Sequence, residues 1–173
     1  MTSIIKVDQI QNAAGGVPTA ADLGLNVSGS VLQVVHARYD TQVSISGTAW
    51  TSTGLTATIT PTSATSQILI MVFQQVHVSG GSSTEGGCGF MVSRNGTTVS
   101  STASATSFDM YHYDASVGND WRGRIPYSGI DSPASTLALT YTANVVRYGV
   151  STAGLSVQDN NNPSFMILQE IAG

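Results

Sequence analysis

The sequence predicts an all-β protein: an antiparallel jelly roll or β-sandwich preceded by an extended N-terminal arm. Three observations lead there. Residues 61–78 run from a proline-led polar turn into Ile68–Phe73, an unbroken apolar run with no polar stripe at helical spacing. Alternation at period two recurs along the chain between Gly, Pro, Asn and Ser clusters. Asn95-Gly96 lies between two strand-like runs, where a two-residue turn needs positive φ at both positions. The division expected is an arm over 1–30 and a sandwich over 31–173.

Ser3–Ile10 is a short strand or extended arm, with Ile4, Ile5, Val7 and Ile10 as its apolar contacts. Residues 11–22 are small and punctuated, with one helical turn expected between Pro18 and Gly24. Residues 1–30 cannot form a core alone, so they are expected to lie along another surface. From Ser30, Val31, Gln33, Val35, Ala37 and Tyr39 alternate with Leu32, Val34, His36 and Arg38. Val43 and Ile45 share a face in the next segment. Leu55, Ala57 and Ile59 then alternate with Thr56, Thr58 and Thr60, a one-sided strand rich in β-branched residues.

In the central strand Ile68, Ile70, Val72 and Val76 face one way, and Leu69, Met71 and Phe73 the other. A strand apolar on both faces must be covered on both. The sandwich core supplies one cover, and a second copy of the chain is the most economical other. The same holds for the last strand, Ser164–Ile171, where Phe165, Ile167 and Ile171 oppose Met166 and Leu168. Leu69, Met71, Phe73, Met166 and Leu168 are therefore candidate oligomer-interface residues.

Between these, residues 80–87 are expected to be a flexible glycine–serine connection. Cys88–Ser93 and Thr97–Ser101 form the Asn-Gly hairpin. Residues 102–124 are the longest non-periodic stretch, and Gly123–Ile130 is expected as a strand after it. Leu137, Leu139, Tyr141, Ala143 and Val145 restore the alternation; Val150–Val157 is a further strand, and Asp159-Asn-Asn-Asn-Pro a sharp turn.

Composition narrows the function. Charged residues are 9% of the 173, against about 25% in an ordinary domain. The polar surface is instead Ser, Thr, Asn, Gln and Gly, which gives little repulsion between copies. Net charge is −4 with no basic cluster, so nucleic acid is not an expected partner. The longest apolar run is far short of the ~20 residues a bilayer span needs, so no membrane insertion is expected. The start lacks the basic region and apolar stretch of a signal peptide, and synthesis in a host cytoplasm is expected. Cys88, alone, cannot form an internal disulfide.

No enzyme is expected. His36, His77 and His112 are the only histidines, and no Ser-His-Asp spacing or paired-carboxylate frame is present. No cofactor or metal is expected either: Asp109, His112 and Asp114 match no metal-site spacing. The best candidate for recognition is the 104–124 loop, with Tyr111, His112, Tyr113, Asp114, Asn119 and Trp121. Large amphipathic rings among Asp and Asn suit stacking on sugar rings. They equally suit burial against a neighbouring subunit. Arg122 and Arg124 are placed to pair with Asp120, across a subunit contact as readily as within one chain.

Two resemblances enter on these residues. Residues 40–173 resemble the trimeric jelly roll of the tumour necrosis factor and complement globular-head class. The likeness lies in the Thr-rich strand, the Pro-led turn into Ile68–Val78, the Asn95-Gly96 hairpin, the long loop and the apolar strand Phe165–Ile171. Gln67-Ile-Leu-Ile-Met-Val-Phe stands where that class has Gly-x-Tyr-x-Phe. Ser3–Gly16, Pro18–Gly24, Gly29–Val35 and the ending Leu168-Gln-Glu-Ile-Ala-Gly resemble tail-fibre and related virion proteins of tailed phages, especially those of aquatic bacteria. The resemblances imply a trimeric virion structural protein: a tail fibre or tail tip presenting loops to a host surface glycan, joined to other virion proteins through 1–30. The alternative is a capsid decoration (cement) protein.

Overall fold

A computed structural model describes residues 11, 15–18, 23, 28–80, 84–101, 110–114, 120–147 and 154–173. The arm residues Ile4, Ile5, Val7 and Ile10, and most of the helical turn expected after Pro18, lie outside them. The strands are β1 (Val31–Tyr39), β2 (Val43–Ile45), β3 (Thr51–Ile59), β4 (Gln67–Ser79), β5 (Thr84–Arg94) and β6 (Thr97–Ser101). They continue as β7 (Met110–Asp114), β8 (Asp120–Asp131), β9 (Leu139–Arg147), β10 (Gly154–Val157) and β11 (Ser164–Ile171), with a 3₁₀ turn at Asp159–Asn161.

The strands form two antiparallel sheets. In the first, β8 runs along one edge of β4, while the other edge is shared end to end by β11 against Gln67–Phe73 and β10 against Val76–Ser79. β1 lies outside β11, and β2 outside β10. In the second the order is β3, β9, β5, with β6 and β7 end to end on the far edge of β5. Taking β1–β2, β6–β7 and β10–β11 as single interrupted runs leaves eight. Their order is 1-8-3-6 in one sheet and 2-7-4-5 in the other, the arrangement of a jelly roll.

The core fills the space between the sheets. Ile68, Ile70, Val72, Val76, Met166 and Leu168 enter from the first; Leu55, Ile59, Phe90, Val92, Tyr141 and Val145 from the second. Burying a large aliphatic or aromatic side chain contributes about 1.5–3 kcal/mol, so this layer is the main source of stability. The two faces of β4 separate as its alternation predicts: Ile68, Ile70 and Val72 are fully buried, and Phe73 on the opposite face is 42% exposed. The Asn95-Gly96 turn has the predicted backbone, φ 48° and 84°. Asn95 also extends the β9 ladder, giving its N–H to Thr140 O at 2.9 Å and accepting Thr140 N–H at its Oδ1 at 2.9 Å.

Three expectations are corrected. Met166 and Leu168 are fully buried against the facing sheet, so the outward residues of β11 are Phe165, Ile167, Gln169 and Ile171. Both faces of that strand are apolar, and its register with β4 decides which one is core. Residues 80–87 are not all connection: β5 begins at Thr84, and Gly86 and Gly87 pair with His112 and Tyr111 of β7. The stretch 102–124 likewise contains β7 and the start of β8. A glycine-rich strand carries no alternation to read, and backbone pairing from a distant strand supplies the order instead.

Candidate functional site

The outward residues of β4 are Leu69, Met71, Phe73, Gln75, His77 and Ser79. They turn from apolar to polar where the neighbouring strand passes from β11 to β10. The interruption is held by buried polar groups. Ser164 Oγ accepts from Gln75 N–H at 2.9 Å, and Gln75 Oε1 accepts Asp159 N–H at 2.7 Å. Gln158 completes the cluster when its carboxamide oxygen accepts from Ser164 Oγ at 2.8 Å and Gln74 Nε2 at 2.9 Å, and its nitrogen donates to Thr53 O at 3.2 Å. Gln74, Gln158 and Ser164 are fully buried; these bonds satisfy most of their polar atoms, and Gln74 Oε1 is left without a partner among the described residues.

At the apolar end the register builds a flat grid of three rows across four strands. The rows are Val34–Gln169–Leu69–Ile130, His36–Ile167–Met71–Ser128 and Arg38–Phe165–Phe73–Pro126. Eight of these twelve positions are apolar. Val34 is 56% exposed and Ile130 62%. His36 stacks on Phe165 at 5.8 Å between centroids, and the Arg124 guanidinium lies 5.6 Å from the centre of the same ring. Arg124 also donates to Pro163 O at 2.6 Å and Asn162 Oδ1 at 3.0 Å.

The polar end is organised by His77. Its Nε2 is 2.7 Å from Asp120 Oδ1 and its Nδ1 3.2 Å from Asp159 Oδ1. Arg122 closes the network, donating from Nε to Asp159 Oδ2 at 2.8 Å and from a terminal nitrogen to Asp120 Oδ1 at 2.7 Å. The Arg122 bond holds the Asp159 carboxyl below its usual range against the opposing effect of burial, with His77 adding to the shift. Beside this network is a cavity of about 430 Å³, lined by Gln42, Ser44 and Ser46 around β2, His77 and Ser79 of β4, Arg147 of β9, Ser156 of β10 and Asp159.

The residues expected to form a recognition loop fall on more than one strand. Tyr111, His112, Tyr113 and Asp114 lie in β7, paired with Gly87, Gly86, Glu85 and Thr84 of the second sheet. Asn119 and Asp109 lie outside the described residues. Trp121 belongs to the first sheet, opposite Val78, and its half-buried side chain packs against the core. It lines a cavity of about 390 Å³ with Met110, Arg124, Ile125 and Pro126. Its ring covers Gly123, where a Cβ would stand 2.1 Å from it. Arg122 does pair with Asp120, within one chain.

Sequence reasoning passed over Val34, Pro126, Ile130, Phe165 and Ile167 as surface partners of Leu69, Met71 and Phe73. Period two marks each strand's two faces, but only the register shows which residues share a row. Ser44, Ser46, Ser156 and Asp159 gave no signal, because isolated serines and an Asp-Asn turn are ordinary in a β protein. Their convergence is tertiary.

Comparisons with solved structures give distant likenesses. The chain is similar to part of dimeric latent PorU from Porphyromonas gingivalis, with TM-score 0.43 and 13% identity over 84% of this chain and 13% of that one. It is similar to a protein of the T13 particle of infectious bursal disease virus (TM-score 0.39, 14% identity, 82% and 36% covered). It is also similar to VP2 of that virus's subviral particle (TM-score 0.35, 11% identity, 82% and 37% covered). This chain thus spans 37% or less of each of the three. No protein-family model matches it, and no curated protein matches it in sequence.

Proposed function

We propose that this chain is a non-enzymatic structural subunit of a phage virion, a tail-fibre or tail-tip protein that works as a homo-oligomer, a trimer on the family likeness. The carrying observation is the apolar end of the first sheet. A grid of four strands by three rows, with strands ~4.8 Å apart and same-face residues ~6.8 Å apart, covers roughly 400 Å². The grid is two-thirds apolar by position, a patch of the kind that is often functional on a monomer. It is about half of the ~800 Å² per partner that a stable interface uses.

The arm supplies a source for the rest. Gly29 N–H donates to Ala172 O and Ala172 N–H to Ser30 O, both at 2.8 Å, so the arm's root is fixed beside the C-terminus at this end of the sheet. In this reading the arm joins the neighbouring copy or other virion proteins. The non-enzymatic part of the reading is supported by His77, both of whose ring nitrogens are engaged by carboxylates, and by the burial of Cys88. In this reading the product is made in the host cytoplasm and resides in the virion; among the described residues no helix is long and apolar enough to cross a membrane.

The same arm root favours a second reading, a decoration protein that clasps capsomers. Cryo-electron microscopy of virions carrying a labelled copy separates the two: label on the tail supports the first, label over the head the second. Sedimentation of the purified chain tests what they share. A concentration-dependent oligomer is expected, and a monomer at every concentration overturns both.

A further inference from the structure

The geometry points to the cavity beside His77 as a binding site for a polyhydroxylated ligand, a saccharide or sugar-like polyol, which deepens the attachment reading and for its biological role rests on it. The cavity's donor set carries this. Ser44, Ser46, Ser79 and Ser156 converge on it from β2, β4 and β10, and each hydroxyl both donates and accepts. Polar groups at its floor are already engaged inside the protein: the Asp159 carboxylate is bound by Arg122 and His77, and the neutral Gln42 amide takes Asn160 N–H on Oε1 at 3.3 Å. What remains to face a ligand is mainly amphoteric hydroxyl, beside the Arg147 guanidinium, and the groups that complement hydroxyls are themselves hydroxyls. A phosphate or sulfate would call for several cations, whereas Arg147 is the one guanidinium among the described lining residues.

At about 430 Å³ the cavity suits one sugar ring. No Phe, Tyr or Trp stands among its described lining residues to supply a stacking platform. A single site is therefore weak, with Kd on the order of 1–10 mM, and useful attachment comes from several copies held together. Ser44 and Ser46 are exposed at the rim, so a ligand reaches them without opening the sandwich.

The test is a nitrogen–proton NMR titration of the isotope-labelled full chain with glucose, galactose, N-acetylglucosamine and galacturonic acid, and with sodium sulfate as the anion control. Saturable shifts centred on Ser44, His77 and Gly154–Ser156 with at least one sugar are expected. Ser44→Phe, which fills the cavity from an exposed position, is expected to weaken binding at least tenfold without changing the melting temperature. Ser156→Ala, losing one hydroxyl, is expected to weaken it about three- to tenfold. No saturable shift with any sugar, shifts that map elsewhere, or a response to sulfate alone each overturn the proposal. Failure of the virion reading looks different: a monomer absent from virions would leave sugar binding in this cavity intact, and an oligomer on virions that binds no sugar would remove only the cavity.

Discussion

Phe73 of β4 and Phe165 of β11 are register partners on the outward face of the first sheet, with Phe73 42% exposed. The described residues leave that pair incompletely covered, and burying large apolar side chains in an interface is where binding energy concentrates. Phe73→Glu is expected to raise the self-association Kd at least tenfold by placing a charge within the apolar grid. The fold should be nearly indifferent, within about 0.5 kcal/mol, because the position contributes nothing to the core. Sedimentation velocity together with a thermal melt reads both. An unchanged oligomer would remove this face from the assembly.

Glu170 is fully buried with no basic partner among the described residues; Gln33 Nε2 donates to it at 2.6 Å, and Thr62 N and Oγ1 at 2.7 and 2.8 Å. Burial pushes its carboxyl up, but the bonds from Gln33 and Thr62 outweigh burial and hold it below the usual carboxylate range. A depressed folded value stabilises the fold above the unfolded pKa of ~4.3, and the contribution is lost as pH falls through the lower folded value. Asp159 acts with the same sign. The melting temperature is expected to fall steadily on acidification below about pH 5. Glu170→Gln should cost about 1–3 kcal/mol at neutral pH, since an amide turns donors toward donors, and its acid slope should be shallower. An acid slope identical to wild type would exclude Glu170 as a source of it.

The fold was legible in the sequence where side chains alternate without ambiguity. Ile68–Val72 and Leu55–Ile59 specify their buried faces by period two, and Asn95-Gly96 specifies its turn through the backbone each residue tolerates. Legibility failed where pairing alone creates order. Gly86 and Gly87 have no side chain to alternate, and β7 is recognisable by its ladder to them. Met166 and Leu168 failed for another reason: both faces of β11 are apolar, so one residue of register exchanges core for surface. Of the candidate site, Leu69, Met71 and Phe73 were legible. The His77–Asp159 network was not, because it joins residues from β4, β8 and the turn after β10.

Gly54, which the alternation of Leu55–Ile59 left unread, lies inside β3. A glycine inside a strand signals a bulge or a close approach, and here it is both. The β3–β9 register shifts between Ser52 and Thr56, Gly54 has φ +83°, and a Cβ there would stand 2.4 Å from the Tyr39 ring. Gly54→Ala is expected to destabilise by about 2–4 kcal/mol through backbone strain and displacement of Tyr39. Chemical denaturation measures it. Tyr39→Ala should relieve the clash, so that adding Gly54→Ala to it costs about 1 kcal/mol; a full additive cost would place the strain in the backbone alone.

Tyr141 and Arg94 of the second sheet meet Asp131 of the first, the phenol donating to Asp131 Oδ2 at 2.7 Å and Arg94 to the same oxygen. The contact ties β8 to β9 and β5 at one end of the sandwich. Burial raises the Tyr141 phenol first, and the bond to the Asp131 carboxylate raises it further, against a smaller opposing effect of Arg94. For an acid held protonated in this way, the stabilisation is fully present below the unfolded pKa of ~10 and is lost as pH rises toward the higher folded value. The melting temperature is therefore expected to decline on the alkaline side, starting near pH 10. Tyr141→Phe keeps the buried ring and leaves Asp131 paired with Arg94, so it should cost about 1 kcal/mol at neutral pH. It should also flatten part of the alkaline decline, and an alkaline profile unchanged by that substitution would show that Tyr141 does not report on folding.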